Sequence, residues 1–144
     1  MRASALRTDD SLKADDALSI VRDYFADRDS FRLVLVFGSA ATGALRAHSD
    51  VDVAIAGASA FDAETLLDTQ AALAEKLGRS VDLIDLARVD GLILHRIMTQ
   101  GRRVKTDPSL FVRFQAKALG WKEDFLPLLQ RMREAHIARF TNGS

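Results

Sequence analysis

The tightest constraint on how this chain folds lies between Val34 and Gly57, VLVFGSAATGALRAHSDVDVAIAG. Two short apolar runs rich in β-branched residues flank a Gly38-Ser39 step, and acids stand at alternate places, Asp50 and Asp52, where the second run begins. Residues two apart on a strand project to one face. The pattern therefore sets two carboxylates side by side, about 6–7 Å apart along the backbone. Val51, Val53 and Ile55 take the other face, which is free to pack on a helix. A buried charge without a partner costs several kcal/mol. Mutual repulsion also raises the pKa of one carboxylate unless a cation sits between the two. The chain has no cysteine, so thiolate metal sites are excluded and the natural cation is oxygen-seeking Mg²⁺.

A third acid on a neighbouring strand would complete such a site. SVDLIDL, Ser80 to Leu86, reads as a strand and offers Asp82 and Asp85. Three residues apart, they face opposite sides, so only one can join Asp50 and Asp52. Asp82 lies inside the strand and is favoured; Asp85, near its end, is the runner-up. Gly38 and Ser39 follow the strand FRLVLVF directly. A glycine there lets backbone approach a phosphate closely, and the Ser39 hydroxyl with nearby amides can donate to phosphate oxygens.

The remaining elements place this motif in an α+β chain. Ser11 or Asp15 is positioned to cap a first helix running to about Ala26, with Leu18, Val21, Tyr24 and Phe25 on one face. Gly38 to Ser49 reads as a loop or turn. Asp62 to Leu77 reads as a helix carrying Leu66, Leu67, Leu73 and Leu77 at helical spacing, stopped by Gly78. Asp90 to Gln100 is a short helix, Arg102 to Thr106 an edge strand, and Pro108 opens a helical region to about Phe140 that Gly120 and Pro127 are expected to kink or divide. The expected architecture is a small mixed sheet of three to four strands with helices packed on it. A chain of 144 residues suits a single domain, with residues 1–10 loose and residues 108–140 forming a C-terminal helical region. Twenty basic and twenty acidic residues balance, which argues against direct nucleic-acid binding. No run approaches the length of a membrane span, and the polar start lacks the apolar core of a signal peptide, so a cytoplasmic protein is expected.

Gly38-Ser39, ten intervening residues, then Asp50-x-Asp52 resembles the signature of the nucleotidyltransferase superfamily related to DNA polymerase β. The short chain, the blocks SDVDVAIAG and SVDLIDL, and the tail in which GRRVKTD joins two helices are similar to the minimal nucleotidyltransferases, the MNT antitoxins of HEPN/MNT toxin–antitoxin pairs. The likeness covers about residues 15 to 135. It implies the polymerase β palm fold, with Gly38 and Ser39 contacting nucleotide phosphates and Asp50, Asp52 and Asp82 holding Mg²⁺. It further implies a type VII antitoxin that transfers AMP from ATP to a tyrosine of a cognate HEPN ribonuclease toxin. Such families often carry a basic residue shortly after Gly-Ser. Ala40, Ala41 and Thr42 stand there instead, leaving Arg46 or His48 as substitutes.

Other residues admit plainer roles. His48 reads as a loop histidine. Arg102, Arg103 and Lys105 read as a solvated edge-strand face, with a nucleotide or toxin contact as the alternative. Trp121 reads as packing near the expected kink. Arg131 and His136 match the R-x4-H spacing of HEPN ribonucleases, but that fold is all-helical and this chain has three strands. Two rival functions remain: an antitoxin acting by occlusion alone, and a nucleotidyltransferase acting on a small molecule such as an aminoglycoside. The latter enzymes usually carry a larger second domain.

Overall fold

The computed structural model describes residues 13–142 except 44 and 46–48, and leaves aside the side chains of residues 121–126, 128–129 and 136–142. Ser11, Arg46 and His48 and the side chains of Trp121 and His136, all singled out above, lie outside the described residues. The order is α1 (Ala14–Phe25), β1 (Leu33–Phe37), α2 (Ser39–Thr42), β2 (Val51–Ala56), α3 (Ala63–Leu77), β3 (Val81–Asp85), α4 (Gly91–Gln100), β4 (Arg102–Lys105) and α5 (Pro108–Asn142), with a 3-10 turn at Leu86–Arg88.

The strands form one mixed sheet in the order β3-β2-β1-β4. β1 runs antiparallel to both β2 and β4, and β2 runs parallel to β3. Alternation divides the core in two. Val34, Val36, Val51, Val53, Ile55 and Val81 face α1 and α3, where Val21, Phe25, Leu73 and Leu77 meet them. Leu33, Leu35, Ala54 and Ala56 face α4 and α5, where Leu94, Ile97, Leu110 and Phe114 meet them. Strands covered on both faces read as continuous apolar runs, and β1 is such a run. β2 departs from it at one place only, Asp52.

Local chemistry sets most helix ends. Asp62 caps α3 by accepting from the Thr65 amide at 2.7 Å, and Gly78 closes it in a left-handed conformation. Asp107 caps α5 through the Ser109 and Leu110 amides at 3.0 and 3.2 Å, while Arg32 pairs with its other oxygen at 2.6 Å. The Leu110 amide, ahead of Arg32, holds the Asp107 carboxyl below the usual carboxylate range.

Four expectations change. Lys13, without a side-chain bond, occupies the α1 N-cap; Asp15 sits within the first turn, favoured there by the helix dipole. Residues 39–42, expected as loop, form a helical turn. In α3 the buried positions are Thr69, Leu73 and Leu77, and Leu67 is 66% exposed. α5 runs as one helix through Gly120 and Pro127.

Candidate active site

The site forms where β1 ends and β2 and β3 begin. The register pairs Phe37 with Asp52 and Asp52 with Asp82. The parallel pairing of β2 and β3 thus puts two carboxylates abreast on the face that α4 covers. Asp50 lies just before β2, exposed, with its approach fixed by the Val51 amide on the Ser80 carbonyl at 3.0 Å and by Arg79 on the Ser49 carbonyl at 3.2 Å.

Gly38 presses directly on this group. Its φ is +71°, and a Cβ built on it would stand 2.3 Å from Asp52 Oδ2. Any side chain larger than hydrogen would force that carboxylate to move, and the backbone conformation itself favours glycine. The bend then enters α2, whose first residue, Ser39, is half-buried. Backbone is therefore brought against a carboxylate, with a serine one residue on.

The electrostatics are those of acids crowded without compensation. Burial, then the charge of Asp82, then that of Asp50, holds the Asp52 carboxyl above its ordinary pKa. Among the described residues no three acids, imidazoles or thiols already stand in a coordinating group. The two facts are compatible, because Coulomb coupling reaches further than a metal–oxygen bond. The donor set fits a hard divalent cation: it is all carboxylate oxygen, and a cation would relieve the repulsion at Asp52.

Asp85 behaves differently. Its side chain is 1% exposed, on the opposite face of β3. One oxygen accepts from the Phe61 amide at 2.8 Å and the other from the Ala87 amide at 3.0 Å, with Arg88 3.7 Å away. Protein donors occupy both oxygens, so Asp85 pins the segment after β2 to the end of β3 and does not reach the acid group.

A cleft of about 240 Å³ opens beside Gly38 and Asp52, walled by Phe37 and by Ile93, Arg96, Ile97 and Gln100 of α4. Those four recur at i, i+3, i+4 and i+7, one face of the helix. Sequence reading passed over Arg96; its only signal was that spacing beside two isoleucines. The basic β4 residues have local partners. Arg102 reaches the Ala41 carbonyl at 3.5 Å, Arg103 lies 4.1 Å over the Phe111 ring, and Lys105 donates to the Phe25 and Arg28 carbonyls at 2.8 and 3.0 Å.

A strand-borne acid pair beneath a glycine-serine bend on a mixed sheet defines a class of phosphoryl-group-transfer fold, and comparison with known proteins identifies it. The family described as polymerase beta, nucleotidyltransferase matches residues 20–108, well over half the chain, and the chain belongs to that family. Within it the chain is similar to minimal nucleotidyltransferases of the MNT type. It is 27% identical over 103 residues to the protein adenylyltransferase MntA of Shewanella oneidensis, an alignment spanning 69% of this chain and 72% of that one. A crystal structure of a toxin–antitoxin with AMP-PNP superposes with a TM-score of 0.65 at 25% identity, covering 90% of this chain and 99% of the other. One chain of a structure of tri-AMPylated Shewanella oneidensis HEPN toxin in complex with MNT antitoxin shares the fold, with a TM-score of 0.58 at 23% identity over 89% of this chain and 95% of that one. Among the described residues no helix is long and apolar enough to cross a membrane.

Proposed function

We propose that this protein is the antitoxin of a HEPN/MNT pair, and that it silences its HEPN ribonuclease partner by moving AMP from ATP onto a tyrosine. The observation that carries the proposal is the register that sets Asp52 against Asp82 beneath Gly38. The name of the Shewanella relative and the AMP-PNP found with a similar toxin–antitoxin support it.

In this reading Asp50 and Asp52 would hold Mg²⁺, and Gly38 and Ser39 bind the phosphates of ATP through backbone amide and hydroxyl. When bound, the cation supplies charge stabilisation to the triphosphate and to the leaving pyrophosphate. Asp50 and Asp52 would seat that cation, and Gly38 and Ser39 would orient the triphosphate so that its α-phosphorus lies in line with the incoming phenol oxygen. That oxygen forms the new P–O bond as the bond to pyrophosphate breaks, and Asp82, exposed on β3, takes the phenol proton. Leu92 and Ile93, both large and exposed at the α4 end of the cleft, suit an acceptor that arrives as a folded surface.

The test is intact-mass analysis of the cognate HEPN partner after incubation with the protein, ATP and Mg²⁺. The partner should gain whole AMP units on tyrosine, and EDTA should stop the gain. An unmodified partner whose ribonuclease is nonetheless blocked would establish occlusion instead. AMP found on an added aminoglycoside, with the partner untouched, would establish the small-molecule activity.

A further inference from the structure

The cleft beside Gly38 and Asp52 holds one cation among the described residues, Arg96, and nothing described so far uses it. We infer that Arg96, reaching from α4 across the cleft from Gly38 and Asp52, binds the phosphates of the nucleotide and so supplies the positive charge that residues 40–42 do not. This rests on the nucleotidyltransferase reading of the site.

Position comes first. Asp52 and Asp82 project toward the face that α4 covers, and Arg96 lies on the helix face that lines the same cleft. Ile97, fully buried one residue on, anchors that turn of α4 in the core, so Arg96 is carried on a fixed backbone.

Availability comes second. The Arg96 guanidinium makes no hydrogen bond or ion pair to another described residue, whereas Arg102, Arg103 and Lys105 contact a carbonyl, a ring and a helix end. Residues 40–42, after the bend, are Ala, Ala and Thr, none of them cationic.

Charge comes third. Three carboxylates and a nucleoside triphosphate bring about seven negative charges, and two divalent cations cancel about four. The remainder calls for a further cation at the phosphates. A guanidinium presents parallel donors that match two phosphate oxygens at once. The apolar side chains of Phe37 and Ile97 line the cleft beside it, and a less polar surround strengthens such a contact.

The experiment compares the wild-type protein with Arg96→Ala and Arg96→Lys. Calorimetry would follow the binding of Mg-AMP-PNP, Mg-tripolyphosphate and adenosine, and circular dichroism would check the fold. Alanine is the strongest helix former, so α4 should persist. Arg96→Ala should weaken AMP-PNP and tripolyphosphate alike by about tenfold to a hundredfold and leave adenosine unchanged. Arg96→Lys, which keeps the charge and loses the fork, should fall between. Equal affinity of wild type and Arg96→Ala for tripolyphosphate would overturn the inference, and so would a loss confined to adenosine, which would make Arg96 a reader of the base. A wild type that binds AMP-PNP in an Arg96-dependent way yet leaves its HEPN partner unmodified would sink the adenylylation reading and leave this assignment standing. No nucleotide binding by the wild type would sink both.

Discussion

Asp82 and Asp85 are the same residue type, three apart on one strand, yet they stand in opposite circumstances. Asp82 faces Asp52 across the sheet, and what surrounds it is further negative charge. Asp85 is buried on the other face with an amide on each oxygen and Arg88 nearby. A carboxylate whose oxygens are filled by the protein holds structure together; one whose neighbours repel it is kept for a ligand. On the proposed reading the acid group serves AMP transfer and Asp85 serves stability, and substitution can separate them.

The largest effect is expected on the Asp82 side. Asp52→Asn or Asp82→Asn should reduce AMP transfer by about a hundredfold or more, the scale of removing a preorganised electrostatic contact to the reacting centre. Thermal stability without metal should hold or rise, since repulsion is relieved. Asp85→Ala should do the reverse. Leaving the Phe61 and Ala87 amides unsatisfied costs about 2–4 kcal/mol, or roughly 5–15 °C in Tm for a domain of this size. Transfer per folded molecule should be retained below that transition. Rates and melting curves on the same preparations decide the matter: an Asp85 variant that is fully folded and inactive, beside an active Asp82→Asn, would invert the comparison.

Gly38→Ala probes the seam between the two roles. The backbone conformation there favours glycine, and forcing another residue into it costs about 1–3 kcal/mol. The new methyl also stands where Asp52 Oδ2 is, so that carboxylate must swing away. Transfer should fall by at least about tenfold even at temperatures where the variant is folded. An alanine variant with wild-type turnover would show that Asp52 has room to move without consequence.

Much of this arrangement was legible from residues alone. β-branched runs bounded by glycine gave the strands, and the spacing of Gly38, Ser39, Asp50 and Asp52 carried the resemblance to the nucleotidyltransferase family. Side-chain alternation separated Asp82 from Asp85, because a three-residue step on a strand changes faces whatever the tertiary structure. What stayed hidden depends on tertiary packing. That Asp52 meets Asp82 requires the parallel β2–β3 register, and no local pattern fixes which strands pair. The helical turn at Ser39–Thr42 is too short to show periodicity. Leu67 matched the α3 stripe and is exposed, since the sheet reaches only the Thr69, Leu73 and Leu77 side of that helix. Arg96 was invisible because an exposed arginine on a helix is ordinary until the helix is seen to cover the acids.

The smallest expected effect is on pH dependence, and it carries the comparison into equilibrium stability. Folding raises the Asp52 pKa, through burial first and then through Asp82 and Asp50. The folded state then holds a proton that the unfolded state has released, over a window opening near the ordinary value of 3.8 and closing at the raised one. Stability must therefore fall as pH rises through that window. Asp62 and Asp107 act oppositely: their amide partners lower their pKa values, so what they contribute is present at neutral pH and lost as pH falls through those lowered values. The net curve mixes both signs, which makes the difference between wild type and Asp52→Asn the useful quantity. In urea titrations with EDTA the two proteins should have matching midpoints below the window, and the variant should gain as pH climbs through it. Replacing EDTA with Mg²⁺ should shrink that gap, because a cation stabilises the ionised wild-type group and finds one carboxylate fewer in the variant. A gap that is the same at every pH would mean that Asp52 is ionised without penalty, and that the acids of β2 and β3 do not feel one another.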